Sequence, residues 1–286
     1  MRLILSRKGF DSSAGGVASP ILPKEKICSL PIPVQIDDGL RFNHVKYPGH
    51  DPKIELAALV QDLTKKSLNK KNFVHLDPDL RRDSLETRGG GWLPSFGQSD
   101  SAAAHLFNQG VGVGDFFLFF GWFRRVECLR KKWQFRLDTP DLHLIFGWLQ
   151  VGQVFHEHKI SQLPKWLQSH PHACGHSAKA RNNVIYVAKH KLDIDGLAEI
   201  DGGGVFDTFS PTRVLTAEEA ASRSIWKLPS WFAAEPRLSY HRNADRWKLS
   251  NSTCQLQTVG RGQEFVLDCE NRPEAITWIR SLFGVN

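Results

Sequence analysis

Apolar positions in this chain fall into short dense runs, and most of them read as strands. The first run, Leu3-Ile4-Leu5, has the length and composition of a buried strand. It passes at once into Ser6-Arg-Lys-Gly-Phe-Asp-Ser-Ser-Ala-Gly-Gly16, a loop of hydroxyls, charge and paired glycine. Residues 51–71 predict a helix: Ile54, Leu56, Leu59, Val60 and Leu63 recur at helical spacing. Pro52 suits its first turn, and Lys65, Lys66, Lys70 and Lys71 suit its last, where the helix dipole favours cations. Phe73-Val-His-Leu76 then reads as a strand ending in the acidic turn Asp77-Pro-Asp79.

Residues 81–94 form a polar loop with three consecutive glycines, and 101–108 predict a second helix. Two strongly β segments follow, 114–123 and 142–152. Each carries Phe-Gly-Trp after an apolar run, so they are expected as neighbouring strands of one sheet, with the basic stretch 124–136 separating them. Downstream the pattern predicts a short helix at 162–168, a strand at 183–188, a glycine-rich turn entering a strand at 201–206, and a helix starting at Thr216. It continues with a ring-packing loop at 226–232, strands at 253–257 and 263–269, and a closing helix at 273–283. No linker-like stretch divides the chain. The expectation is one α/β or α+β domain over 1–286, a mixed sheet with flanking helices.

Composition narrows this little. The 286 residues are 41% hydrophobic with nine Trp, eighteen Phe and three Tyr, enough for a substantial core. A net charge of +7 suits a phosphate-bearing partner such as a nucleotide or DNA without requiring one. Five cysteines at wide spacing, with no Cys-x-x-Cys, suggest reduced thiols and a cytoplasmic setting. No apolar run approaches the length of a membrane span.

Candidate chemistry sits in three places. The loop after the first strand offers Ser6, Arg7, Lys8, Ser12 and Ser13, with Gly15 and Gly16 allowing backbone N–H groups to close around an anion. It lacks the Walker and dinucleotide-fold spacings. A polar surface loop is the plain alternative. A histidine cluster comprises His156, His158, His170, His172 and His176 with Cys174, but matches no strong zinc signature, so no metal ligand is assigned. Acid–base use, metal binding and a plain polar loop all stay open there. Asp11, Asp77 and Asp79 follow strands, and if those strands were parallel neighbours Asp11 and Asp79 would share an edge as general base or magnesium ligand. Asp77 and Asp79 equally suit turn-capping. The amides Gln98, Asn108, Gln109, Asn182 and Asn183 could read base edges, and Trp92, Trp122, Trp148, Trp226 and Trp231 could stack on bases, with core packing the alternative for Trp122 and Trp148.

Nine short signatures occur together. They are Leu5-Ser-Arg-Lys-Gly-Phe-Asp-Ser-Ser-Ala-Gly-Gly16, Ser29-Leu-Pro-Ile-Pro33, Asp77-Pro-Asp-Leu80, Phe96-Gly-Gln98, His105-Leu106, Gly114-Asp115, Phe117-Leu-Phe-Phe-Gly-Trp-Phe-Arg124, Phe146-Gly-Trp-Leu-Gln-Val-Gly152 and His170-Pro-His172. As a set they resemble the third type of nucleotide modification associated domain, from bacteria and phages, over about two-thirds of the chain. The resemblance implies an association with modified nucleotides or DNA bases and no established reaction, cofactor or catalytic residue. Residues 110–154 also look a little like the glycine–aspartate–strand element of small β-barrels that bind flipped modified bases. The expected function is therefore binding or acting on a nucleotide or DNA base. The phosphate is expected on the 6–16 loop, with Gln98 and Asn183 as further contacts, and Asp11, Asp79, His170 and His172 as the catalytic set. The alternatives are a non-catalytic reader of modified bases and a metal-dependent hydrolase built on the 156–176 histidines.

Overall fold

In the computed structural model, residues 1–37, 39–47 and 54–285 are described. A ten-stranded mixed sheet organises the molecule. Its spine is made of β1 (Arg2–Arg7), β2 (Ser95–Gln98), β3 (Phe116–Leu129), β4 (Leu142–His156), β5 (Val184–Ala188) and β6 (Glu264–Asp268), in the order β6-β1-β3-β4-β5-β2. β1 runs parallel to β3 and antiparallel to β6. β3 with β4, β4 with β5 and β5 with β2 are all antiparallel. Among the described residues the α-helices are α1 (Leu56–Leu63), α2 (Asp100–Asn108), α3 (Pro171–Cys174) and α4 (Glu274–Leu282).

The unbroken apolar runs of β1 and β3 have a direct cause: both faces of the sheet are covered, so neither parity can be polar. Leu3, Leu5, Phe116, Leu118 and Phe120 point into one core with Trp226, Phe265 and α4. Ile4, Phe117 and Phe119 point into the other with Phe96 and Tyr186. Side chains on a strand alternate between faces. Each of these large side chains is fully buried, a gain of roughly 1.5–3 kcal/mol apiece. A third core gathers Phe10, Phe42, Val74, Val126 and the apolar stripe of α1.

The two Phe-Gly-Trp segments are adjacent antiparallel strands, as their pattern predicts. The basic stretch between them is not a separating loop. β3 runs on to Leu129 and turns back through a strand at Lys132–Phe135, because Val126 stays buried and the strand alternation persists through the arginines. The second helix, the strand at 184–188 and the last helix lie within a residue or so of expectation.

Other elements differ. The described part of the first helix spans only Leu56–Leu63; Lys65 and Lys66 adopt left-handed backbone and end it, and residues 51–53 with Pro52 lie outside the described residues. Residues 162–168 are split by Pro164 between two short 3-10 turns. No helix starts at Thr216. Its Oγ1 accepts from His143 N–H and donates to the Arg223 carbonyl, which holds the segment as a turn against the strand Ile225–Pro229. That strand, expected as a loop, buries Trp226 completely. Phe73–His75 pairs with Ile32–Val34 in a separate two-stranded ribbon, not with β1. Among the described residues no helix is long and apolar enough to cross a membrane.

Candidate functional site

The residues singled out from sequence fall into three groups, set by strand alternation and by the 73–75 ribbon. The first group is a histidine–carboxylate centre. His75 closes the ribbon and Asp77 follows two residues on, so one turn presents both side chains to the same place. α3 begins at His170-Pro171 and brings His170 and His172 against them. His170 Nε2 stands 3.4 Å from Asp77 Oδ1, His172 Nε2 3.9 Å from Oδ2, and His75 Nε2 4.0 Å from Oδ2. Gly97 N–H on β2 donates to Asp77 Oδ1 at 2.7 Å. Gly97 also makes room: a Cβ there would lie 2.2 Å from the His172 ring.

Hydrogen bonds assign the protons on two of these rings. His172 backbone N–H donates to His170 Nδ1 at 3.2 Å. In the neutral ring the His170 proton is therefore on Nε2, which is buried and forms no well-aligned hydrogen bond. Asn183 Nδ2 donates to the His172 carbonyl at 2.7 Å, which orients the amide so that its Oδ1 accepts from His172 Nδ1–H at 2.8 Å. His172 Nε2 then carries a lone pair. Burial lowers the His172 pKa to about 4, so the ring is neutral at pH 7. Burial raises the Asp77 pKa, but His170, His172 and His75 more than reverse that and hold it at about 2. An N–H donor at His170, a lone pair at His172 and a carboxylate thus share one buried centre, the inventory proton transfer requires.

Asp79 lies beside this centre with its own partner. Arg88 donates to both of its oxygens, at 2.5 and 2.6 Å, and lies over the Trp92 ring at 4.9 Å. Burial raises the Asp79 pKa, with Arg88 opposing. Asp79 and His170 line one small cavity, while Asp77 lines another and His75 a third.

The second group lines a cleft of about 410 Å³. Arg7, Asp11, Ser12 and Ser13 are there, joined by Trp122, His143, Arg223 and Ser224. The Arg223 guanidinium lies over the Trp122 indole at 4.1 Å and reaches Ser12 Oγ at 3.3 Å. Arg7 donates to the carbonyls of Val259 and Gly260, both at 3.1 Å. Its Nε and the Trp122 Nε1 are buried without a partner. Burial lowers the Arg7 pKa, Asp11 opposes and Arg223 adds to the fall. The loop amides expected to meet an anion already have one: Asp11 Oδ1 accepts from Ser13 N–H, Ala14 N–H and Ser13 Oγ, all at 2.7 Å. Gly16 N–H goes to the Asp11 carbonyl. Gly15 sits at φ +86°, where a Cβ would strike the Phe10 ring.

The third group is interior. Ser6 and Lys8 share the opposite face of β1 from Arg7. Lys8 Nζ pairs with Glu264 at 2.9 Å and lies 4.4 Å over the Phe96 ring, and Gln98 donates to the same Glu264 oxygen at 2.7 Å. Arg7 and Lys8 therefore cannot close on one phosphate. The proposed catalytic quartet also divides: Asp79, His170 and His172 are together, and Asp11 is in the cleft with Arg7. The shared edge expected for Asp11 and Asp79 needed parallel strands, and the ribbon of residues 73–75 removes that pairing.

Of the remaining histidines, His156 packs edge-on against Phe107, and His176 lines a cavity with His75. Sequence reading passed over His75, Arg88, Arg223 and Glu264. The signal for His75 was available in the His75-x-Asp77 spacing; nothing local marks Arg223.

The family model for nucleotide modification associated domain 3 matches residues 2–268. The chain belongs to this family. The match takes in the histidine centre and the cleft, and the family's name associates the chain with nucleotide modification. No curated protein and no solved structure matches it.

Proposed function

We propose that this family member binds a nucleotide, free or within DNA, in the cleft between Arg7 and Arg223. One observation carries the reading: two arginines and a partly exposed indole converge on a cleft large enough for a nucleotide, and two of their N–H donors are buried without a partner. Guanidinium forks match phosphate oxygens, and the Arg223–Trp122 pair offers a flat surface to a base. Ser12, Ser13 and Ser224 add hydroxyl donors. Titrating the full chain with nucleoside monophosphates and short oligonucleotides, followed by tryptophan fluorescence, tests this. Binding that needs the phosphate and drops about tenfold or more in Arg223→Ala supports it. No binding, or binding indifferent to Arg223, overturns it.

A second reading, catalysis on the bound base or on a second ligand, is favoured by the histidine centre. A pure reader has no need of a ring poised to give a proton beside a ring poised to take one. Mass spectrometry of nucleosides from DNA incubated with the protein, compared with His170→Gln, tests turnover.

A further inference from the structure

We propose that His75, Asp77 and His172 bind a divalent transition metal ion, iron(II) or zinc(II), with His170 as an adjacent hydrogen-bond donor rather than a ligand. The ligating atoms of the three lie within 4.8 Å of one another. Bond lengths near 2.0–2.2 Å would set them roughly 3–3.6 Å apart. The Asp77 separations of 3.9 and 4.0 Å close to that by small side-chain rotations.

The protons are arranged as a metal site needs them. A ligating histidine presents one nitrogen to the ion and donates through the other to a carbonyl or carboxylate oxygen, which fixes its tautomer. His172 does this: Nδ1–H is taken by Asn183, and Nε2 faces Asp77. Asp77 is already oriented by Gly97 N–H on its other oxygen. His170 fails the same test. Its Nδ1 accepts a backbone N–H, so the proton on Nε2 leaves no lone pair for an ion. That buried, poorly partnered N–H instead stands where it can donate to the Asp77 oxygen or to a group bound on the ion.

The donor set selects the metal. Two imidazoles and one carboxylate suit iron(II), zinc(II) and their neighbours. Calcium and magnesium want oxygen throughout, and no thiolate is in the set to favour copper(I). Three protein ligands leave coordination positions open, the pattern of a reactive rather than a structural ion. His75 supplies the way in: it lines a cavity of about 310 Å³ with Ile32, Val34 and His176. This inference does not depend on nucleotide binding in the cleft.

The test uses the full chain without an affinity tag, stripped with chelator and titrated with cobalt(II) as spectroscopic probe. Zinc(II) and, under anaerobic conditions, iron(II) are then added as competitors. The expected result is one cobalt(II) per chain with ligand-field absorption, displaced by zinc(II) or iron(II). His75→Ala and His172→Ala should each weaken binding more than about 100-fold. His170→Gln and His158→Ala should leave it within a few fold. Far-UV circular dichroism checks the fold of each variant. If His172→Ala does not fold, the half-buried His75 decides the matter alone, through His75→Ala and His75→Asn. Absence of stoichiometric cobalt(II) binding, or binding unchanged in the His75 variants, overturns the proposal. So does loss of binding in His170→Gln equal to that in His75→Ala.

Discussion

Asn183 holds His172 by two hydrogen bonds, giving one through Nδ2 to the His172 backbone carbonyl and taking one at Oδ1 from the ring Nδ1–H. The side chain of one turn residue thereby sets the tautomer of a ring on α3. Replacing it with alanine removes the acceptor and strands a buried N–H. Asn183→Ala is expected to cost about 1–3 kcal/mol of stability. Nitrogen-15 spectra of the imidazoles should show His172 as a single Nδ1–H form in the native chain and a mixture in the variant. An unchanged tautomer in the variant would contradict the assignment.

Arg88 and Asp79 form a buried two-pronged pair. Breaking such a pair from one side leaves an uncompensated charge. Arg88→Ala is expected to lose about 3–5 kcal/mol in denaturant unfolding. Removing both charges, as Asp79→Asn with Arg88→Met, should recover a good part of that loss. A double variant as unstable as the single one would refute the pairing as the cause.

Acid should weaken the fold through its buried imidazoles. Burial lowers His172 and His241 to about 4 and His143 to about 3, with Arg7 and Arg223 adding to the fall at His143. In the unfolded chain these rings titrate near 6.5. Between the two values the unfolded state binds more protons, so stability is complete above about pH 6.5 and falls toward pH 4, by up to about 1.4 kcal/mol per pH unit for each ring. Asp77, held at about 2 against an ordinary 3.8, adds stability that is complete above about pH 4 and is lost progressively as pH falls from there through 2. Calorimetric midpoints that stay level from pH 7 to pH 4.5 would be inconsistent with neutral buried rings.

Ligand binding in the cleft should separate charge from stacking. Arg223→Ala should reduce the slope of log affinity against log salt by about 1 for an oligonucleotide. Trp122→Ala should weaken binding by about 1–3 kcal/mol while the slope holds, because base stacking releases no counterion. The reverse assignment of the two effects would place the phosphate and the base the other way round.

The sheet was legible in the sequence because its strands carry their own evidence. Leu3 to Leu5, Phe116 to Phe120 and Val184 to Val187 are β-rich runs that stay buried on both faces. The turn at Thr216 was misread because a helix start was inferred from local residue types, while the deciding partners, His143 and Arg223, come from the strand before and the turn after. The site followed the same division. His170 and His172 were found by their composition. Their convergence on Asp77 depends on a ribbon pairing between 32–34 and 73–75 that short mixed segments do not announce. Arg7 and Lys8 were read as one charged pair, although strand alternation sends consecutive side chains to opposite faces.

Gly97 gives the histidine centre a boundary that no reactive group provides. Its hydrogen occupies a place where a methyl group would overlap the His172 ring, and its amide holds the Asp77 carboxylate beside that ring. The dimensions of the chamber are thus written partly in an atom that is missing. A chain could keep every histidine and the aspartate and still lose the arrangement through one methyl group on a neighbouring strand.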